Sequence, residues 1–364
     1  MEVPVINLAP FMSDATSAEA AAECAKAAKA LEEFGCLVVR DPRVTEADNS
    51  TFLDLMEQYF EQSVEDKKAD ERPQWGYQVG VTPELVEVPR CTVDPKCLDT
   101  IAKMPEDERA HVPVGPDPKW RFFWRLGERP SETKFKELNA EPVVPKAFPQ
   151  WGQVMNKWGS LMMDAVTSLS EMVAVGFDMP SDIFTKLAKN GPHLLAPTGS
   201  DLARYHEKNT IFAGFHTDLN FLTIHGKSRF PGLYVWRRDG KRVDVRVPDG
   251  CLLVQAGKQL EWLTGGRVIA GYHEVIVTDR TLEAIERAKA AHRSLWRISS
   301  TVFMHIASDN ILRPLTEYGF QENAELYPHM LTGDQVAREL SALQLKKIDN
   351  INQANAAAAA GQVY

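Results

Sequence analysis

The sequence predicts an α+β fold with a mainly β core: a double-stranded β-helix, or jelly roll, behind a helical amino-terminal region and ahead of a C-terminal helix. Apolar residues recur at helical spacing in long stretches before residue 195. From Leu195 to Ile306 the pattern changes to short apolar runs punctuated by glycine and proline turns. Many short, evenly spaced strands are what a doubled antiparallel sheet requires. The expected boundaries are a single unit over 1–364: a mainly helical region 1–194, the β core 195–310, and a last helix and tail 311–364.

Taken in order, helices are expected over Ala18–Glu33, Glu46–Gln62 and Trp151–Val175. The last shows its buried stripe as Met155, Trp158, Leu161 and Met162. Proline-rich loops separate them. A helix over Asp334–Leu345 precedes an alanine-rich end expected to fray. With 364 residues the chain can bury a large core without staples.

Composition sets further bounds. At 44% hydrophobic and 25% charged residues the chain reads as an ordinary folded protein. Its 41 basic and 50 acidic residues give a net charge of −9, which argues against nucleic acid or an anionic membrane as partner. No apolar run reaches the roughly 18 residues that span a bilayer, and Met1-Glu-Val-Pro4 does not begin like a secretory signal, so a cytoplasmic protein is expected. Cys24, Cys36, Cys91, Cys97 and Cys251 are odd in number and include no Cys-x-x-Cys, which points to reduced, mostly buried thiols.

The chemistry concentrates at His216-Thr217-Asp218. In an extended strand the side chains at i and i+2 share a face, so one imidazole and one carboxylate can meet one ion. His273, in the short strand-like segment Gly271-Tyr-His-Glu-Val275, is the candidate third ligand. Two histidines and a carboxylate form the facial set typical of non-haem iron(II), leaving three coordination positions for reagents.

A lone His-x-Asp is common; its surroundings here are not. Phe215-His-Thr-Asp-Leu-Asn-Phe-Leu-Thr-Ile224 is followed by Phe230-Pro-Gly-Leu-Tyr-Val235, Val247-Pro-Asp-Gly250 and Leu253-Val-Gln-Ala-Gly-Lys258, then Thr264-Gly-Gly266. In this order of motifs the chain resembles the isopenicillin N synthase-like family of iron(II)/2-oxoglutarate oxygenases. The likeness extends to Val3-Pro-Val-Ile-Asn-Leu8 as an opening strand, Leu31-Glu-Glu-Phe-Gly-Cys-Leu-Val-Val39 as a helix-to-strand passage and Glu57–Lys68 as the next helix, and so spans Pro4 to about Ile306.

The resemblance implies Fe(II) at His216, Asp218 and His273, with 2-oxoglutarate and dioxygen as co-substrates. It further implies that Arg297 and Ser299 hold the far carboxylate of 2-oxoglutarate, and it makes Tyr205 a candidate hydrogen-bond partner of the oxo acid. A guanidinium grips a carboxylate in a bidentate fork and a serine hydroxyl satisfies a remaining lone pair. Strand alternation permits this: Arg297, Ser299, Thr301 and Phe303 share one face, while Ile298, Val302, Met304 and Ile306 line the other. The activity implied is hydroxylation, desaturation or cyclisation of a small organic metabolite with release of succinate and CO2. The alternatives are a 2-oxoglutarate-independent iron oxidase of the same fold and a non-catalytic jelly-roll binding protein.

The chain departs from the family pattern in two places. Arg297 follows His273 by 24 residues, a longer gap than in most relatives, and a helical insertion over 279–293 is expected to fill it. Arg280 is the rival by spacing, but Leu282 two residues later cannot bind a carboxylate. Gln255-Ala-Gly-Lys258 stands where relatives commonly carry Asn-x-Gly-Asp. His225 and His292 are set aside as ligands, one beyond an expected strand end and one in the insertion. His305 is assigned to packing, and His206 is kept as a partner to the ligands. Lys119-Trp-Arg-Phe-Phe-Trp-Arg125 and Trp75-Gly-Tyr77 suit either a pocket wall or core packing.

Overall fold

A computed structural model of the protein describes residues 3–92 and 94–342. The chain opens with β1 (Val5–Asn7), α1 (Ala9–Ser13), α2 (Ala18–Phe34), β2 (Cys36–Arg40), α3 (Glu46–Phe60), α4 (Val64–Lys68) and β3 (Gly80–Thr82). Then come α5 (Pro95–Ala102), β4 (Trp120–Arg125), α6 (Trp151–Gly176), α7 (Ile183–Ala188), β5 (Leu194–Leu195) and β6 (Thr198–Asp201). The core continues with β7 (Ile211–Thr217), β8 (Leu222–His225), β9 (Leu233–Trp236), β10 (Arg242–Asp244), β11 (Cys251–Ala256), α8 (Lys258–Leu263) and β12 (Tyr272–Ile276). It closes with α9 (Asp279–Ala290), β13 (Trp296–Ser299), β14 (Thr301–Met304), the pair β15 (Ile311–Leu312) and β16 (Met330–Leu331), and α10 (Thr332–Ala342).

The strands form the two layers of a jelly roll. A large sheet runs β1-β2-β11-β8-β14-β5-β4-β6-β13, with β3 on β4, and a small sheet runs β10-β9-β12-β7. Helices pack behind the large sheet. Ser17 caps α2 by accepting from the Ala20 amide, and Gly35, at φ 65°, ends it in the left-handed turn that suits glycine. The buried stripe of α2, including Cys24, Ala28 and Leu31, lies on α6, where a Cβ at Gly176 would stand 2.3 Å from the Cys24 carbonyl oxygen. Only glycine lets the helices approach so closely.

Strand β4 resolves the double reading of Lys119–Arg125 by alternation. Trp120, Phe122 and Trp124 enter the hydrophobic core, where Phe122 lies edge-on to Tyr59 and Trp151, while Lys119, Arg121 and Phe123 line a cavity on the other face.

Several boundaries differ from expectation. The helix expected over Glu46–Gln62 ends at Phe60, and Ser63 caps a separate α4 by accepting from the Asp66 amide, so the stretch Glu57–Lys68 is two helices. The insertion forms α9, started by a reciprocal Thr278–Thr281 capping box, but it stops at Ala290 because His292 turns left-handed at φ 49°. The last helix starts at Thr332; residues 343–345 of its expected span and the alanine-rich end lie outside the described residues.

Cysteine usage also needs correction. Cys91 and Cys97 are paired as a disulfide, because the turn after Arg90 and the Asp94-capped start of α5 fold the chain back and place their Cα atoms 5.1 Å apart. Cys24, Cys36 and Cys251 are free and buried. No helix among the described residues is long and apolar enough to cross a membrane.

Candidate active site

Strand pairing brings the candidate third ligand to the other two, which sequence spacing alone does not do. In the small sheet β12 runs antiparallel to β7 with His273 directly opposite His216, and the ring centroids are 4.1 Å apart. Asp218 follows one residue after β7, its backbone carbonyl accepting from the Lys258 amide at 2.9 Å. The Asp218 Oδ1 lies 3.7 Å from His216 Nε2 and 3.8 Å from His273 Nε2, and one ligand atom from each residue falls within 4.8 Å of the others. Two atoms bonded to one ion at about 2.1 Å can be up to ~4.2 Å apart, so the set can hold a metal with little movement.

The second nitrogens are committed to this arrangement. Nδ1 of His216 donates to the Gly214 carbonyl at 2.6 Å and Nδ1 of His273 to the Gly271 carbonyl at 3.3 Å, which leaves both Nε2 lone pairs facing Asp218. Burial, reinforced by His273, holds the His216 imidazole well below its ordinary pKa, so it is neutral and ready to ligate. Burial would raise the Asp218 carboxyl, but the facing His273 and His216 keep it below its ordinary range. Its Oδ2 is buried with no hydrogen-bond partner among the described residues, which a cation would offset.

A cavity of ≈ 300 Å³ opens beside the triad, walled by Phe123, Phe215, Phe303 and Leu194 and bordered by Val336 and Leu340 of α10. Away from the triad, the charges on β4 and the segment before it compensate one another. Lys119 pairs with Glu87 at 3.1 Å and with Asp117 at 2.7 Å, and Arg121 pairs with Glu87. Burial lowers the Arg121 guanidinium to about 10, with Asp218 pulling the other way. His305, assigned above to packing, also lines this cavity, and its Nδ1 is buried without a partner among the described residues.

Arg297 stands in contrast. It is buried on β13, its Nε donates to the Pro231 carbonyl at 3.2 Å, and among the described residues no carboxylate pairs with it. Burial alone lowers its guanidinium to about 10. The rival Arg280 pairs with Asp244 on the partly exposed side of β10. Ser299 and Thr301 follow Arg297 on the same face, their hydroxyls 3.3 Å apart.

Other expectations fare differently. Tyr205 is not brought to the triad: its ring packs with Leu202, Phe212 and α9, and Arg204 stacks over it. The turn after β6 carries it away, its backbone amide bound to the Asp201 carbonyl. His206 and His292 are exposed. His225 departs from expectation, because β8 extends through it. It is buried, 6.3 Å from His273 between ring centroids, and it hydrogen-bonds Thr301 and Gln255. The signal for this lies in Leu222-Thr-Ile-His225, where polar Thr223 and His225 alternate with apolar Leu222 and Ile224.

Comparison with known proteins agrees with this geometry. Residues 200–306 match the profile of the 2OG-Fe(II) oxygenase superfamily, and residues 3–147 match that of the non-haem dioxygenase in morphine synthesis N-terminal region. The chain therefore belongs to the 2-oxoglutarate/Fe(II) oxygenase superfamily and is a 2-oxoglutarate-dependent dioxygenase using Fe(II), 2-oxoglutarate and dioxygen. It is 23% identical over 292 residues to a 2-oxoglutarate-Fe(II) type oxidoreductase, ppzC, of Metarhizium majus, covering 75% of this chain and 72% of that one. A Petunia hybrida flavonol synthase/flavanone 3-hydroxylase is 23% identical over 211 residues, 55% of this chain and 53% of its own. Among solved structures, a Caulobacter crescentus protein described as of the 2OG-Fe(II) oxygenase family superposes with TM-score 0.72 at 21% identity, covering 93% of this chain and 98% of that one. A full-length Neurospora crassa protein solved in complex with alpha-KG gives TM-score 0.70 at 13% identity, over 93% and 96%.

Proposed function

We propose that this oxygenase oxidises a small organic metabolite held in the cavity beside His216, Asp218 and His273, with hydroxylation the default outcome and desaturation or cyclisation open to the same site. The observation that carries this reading is the convergence of the three ligand atoms at the wall of an aromatic-lined cavity. In it, His216, Asp218 and His273 hold Fe(II), and Arg297 with Ser299 holds the far carboxylate of 2-oxoglutarate. Iron bound in this way supplies dioxygen activation coupled to decarboxylation of the co-substrate to succinate and CO2.

The chain's own residues set the conditions. The Gly214 and Gly271 carbonyls fix the ligand rings, so no reorientation is needed when the metal enters. Arg297, with no acid paired to it among the described residues, gains from a carboxylate what burial cost it, and this favours the 2-oxoglutarate-dependent form over an oxidase that does without one. Phe123 and Phe303, edge-on at 6.3 Å, present a dry wall for an apolar part of the substrate.

Relatives support a small substrate: the Neurospora crassa protein has also been solved with thymine, and JOX2 with 2OG, Fe and JA. The reading includes a cytoplasmic location and no nucleic-acid or membrane partner, since a net charge of −9 repels polyanions. Anaerobic titration with Fe(II) and then 2-oxoglutarate tests it. The weak visible charge-transfer band of the chelate should appear, and succinate should form on admitting oxygen; absence of both would count against the assignment.

A further inference from the structure

A line of polar side chains crosses the interior of the large sheet from β11 to β13; its first two hydrogen bonds can run in one direction only, and at the last the Thr301 proton finds no acceptor other than Ser299 among the described residues. The Gln255 Nε2 lies 2.8 Å from His225 Nε2. An amide nitrogen has only hydrogens to offer, so His225 Nε2 must accept, and the ring proton must sit on Nδ1. Nδ1 lies 3.0 Å from the Thr301 hydroxyl oxygen and therefore donates to it. The Thr301 proton is then free for Ser299 Oγ at 3.3 Å, and the Ser299 proton is left over at the end of the line.

Gln255, His225 and Thr301 are all buried, so water does not compete for these bonds. Turning the Gln255 amide over would reverse the line and strand its N–H donors where one carbonyl oxygen, Oε1, now lacks a partner. The orientation drawn is the less costly one. Arg297, whose guanidinium pairs with no carboxylate among the described residues, stands two residues before Ser299 on the same strand face.

We propose that Gln255, His225 and Thr301 form a one-way hydrogen-bond chain that presents the Ser299 hydroxyl as a donor to the far carboxylate of 2-oxoglutarate, making His225 and Thr301 positioning residues for the co-substrate. The inference rests on the assignment of Arg297 and Ser299 as the carboxylate anchor. Without the chain Ser299 is free to give its proton to Thr301 and turn lone pairs toward the anion. With the chain the hydroxyl arrives already oriented, and the site selects an oxo acid with an anionic tail over one with a neutral tail.

The test is anaerobic binding to the Fe(II)-loaded full chain, read from the charge-transfer band, for 2-oxoglutarate and for 2-oxopentanoate, which lacks the second carboxylate. Thr301→Val, which keeps the shape and loses the hydroxyl, should weaken 2-oxoglutarate roughly tenfold, the scale of one hydrogen bond to a charged group. The same variant should leave 2-oxopentanoate within about twofold, and Thr301→Ser should restore normal 2-oxoglutarate binding. His225→Leu should behave as Thr301→Val does, with iron affinity and the melting temperature of the ligand-free protein recorded for each variant. Equal weakening of both oxo acids, or none, would overturn the chain. Arg297→Gln separates the two claims: if it abolishes 2-oxoglutarate binding while Thr301→Val has no effect, only the chain fails, and if it leaves binding intact, the anchor fails and the chain with it.

Discussion

Two buried polar regions of the molecule treat charge in opposite ways. Lys119, Arg121, Glu87 and Asp117 neutralise one another across the wall formed by β4 and the segment before it. Asp218 and Arg297 do not: the carboxylate keeps a buried oxygen without a partner, and the guanidinium has no acid among the described residues. A protein spends stability to bury a lone charge, so the uncompensated region marks where ligands complete the structure and the compensated one where the chain completes itself.

The largest effect should come from breaking the uncompensated side. Asp218→Ala should abolish iron retention and succinate formation, yet leave the melting temperature of metal-free protein unchanged or higher, since it removes an unsatisfied buried charge. Metal analysis, turnover and thermal unfolding together check this, and a large loss of metal-free stability would mean that Asp218 is structural. The compensated side should respond in reverse. Glu87→Gln leaves Lys119 sharing one acid and Arg121 with none, at a cost of about 3 kcal/mol in urea unfolding.

A smaller effect concerns pH. Burial first, then Arg125, holds His193 at about 3, and burial, then His193, does the same for His305. Unfolded, each titrates near ~6.5. The folded state thus binds fewer protons below that value, so the stability these rings contribute is complete above about pH 6.5 and is lost as pH falls toward 3. His193→Asn keeps an acceptor for the His305 amide, which Nδ1 now serves at 3.0 Å, and should flatten the decline between pH 6.5 and 4.5 by about 1.4 kcal/mol per pH unit. Equilibrium unfolding at several pH values reads the slope. The smallest effect belongs to Arg280→Ala, which breaks a half-exposed pair with Asp244: a stability change within about 0.5 kcal/mol and unaltered 2-oxoglutarate affinity.

Much of this is legible in the chain. Ser17 and Gly35 mark the ends of α2, and the alternation from Arg297 to Ile306 separates cavity from core: Ser300 takes a hydrogen bond from Trp158 on one side, while Thr301 meets His225 on the other. The candidate iron ligands can be read from i, i+2 spacing and family likeness, but not the register that sets His273 opposite His216, because pairing is a long-range choice. The Cys91–Cys97 pair escapes such a reading, since its spacing follows no common motif and only the local fold-back joins it. Tyr205 misleads because likeness fixes its place along the chain and not the turn that swings it outward. His225 is missed through an error of one or two residues in a strand boundary, where sequence patterns discriminate least.

Deleting one residue between Arg297 and Ile306 would exchange the two sides of that ribbon, sending Val302 toward the chelate and Thr301 into the packing around Trp158. A change of length within these ten positions would put the strand out of phase, whereas a connection can absorb one. The twelve-residue helix α9 sits in such a connection, lengthening the path from His273 to Arg297 while leaving the pleat beyond it in phase.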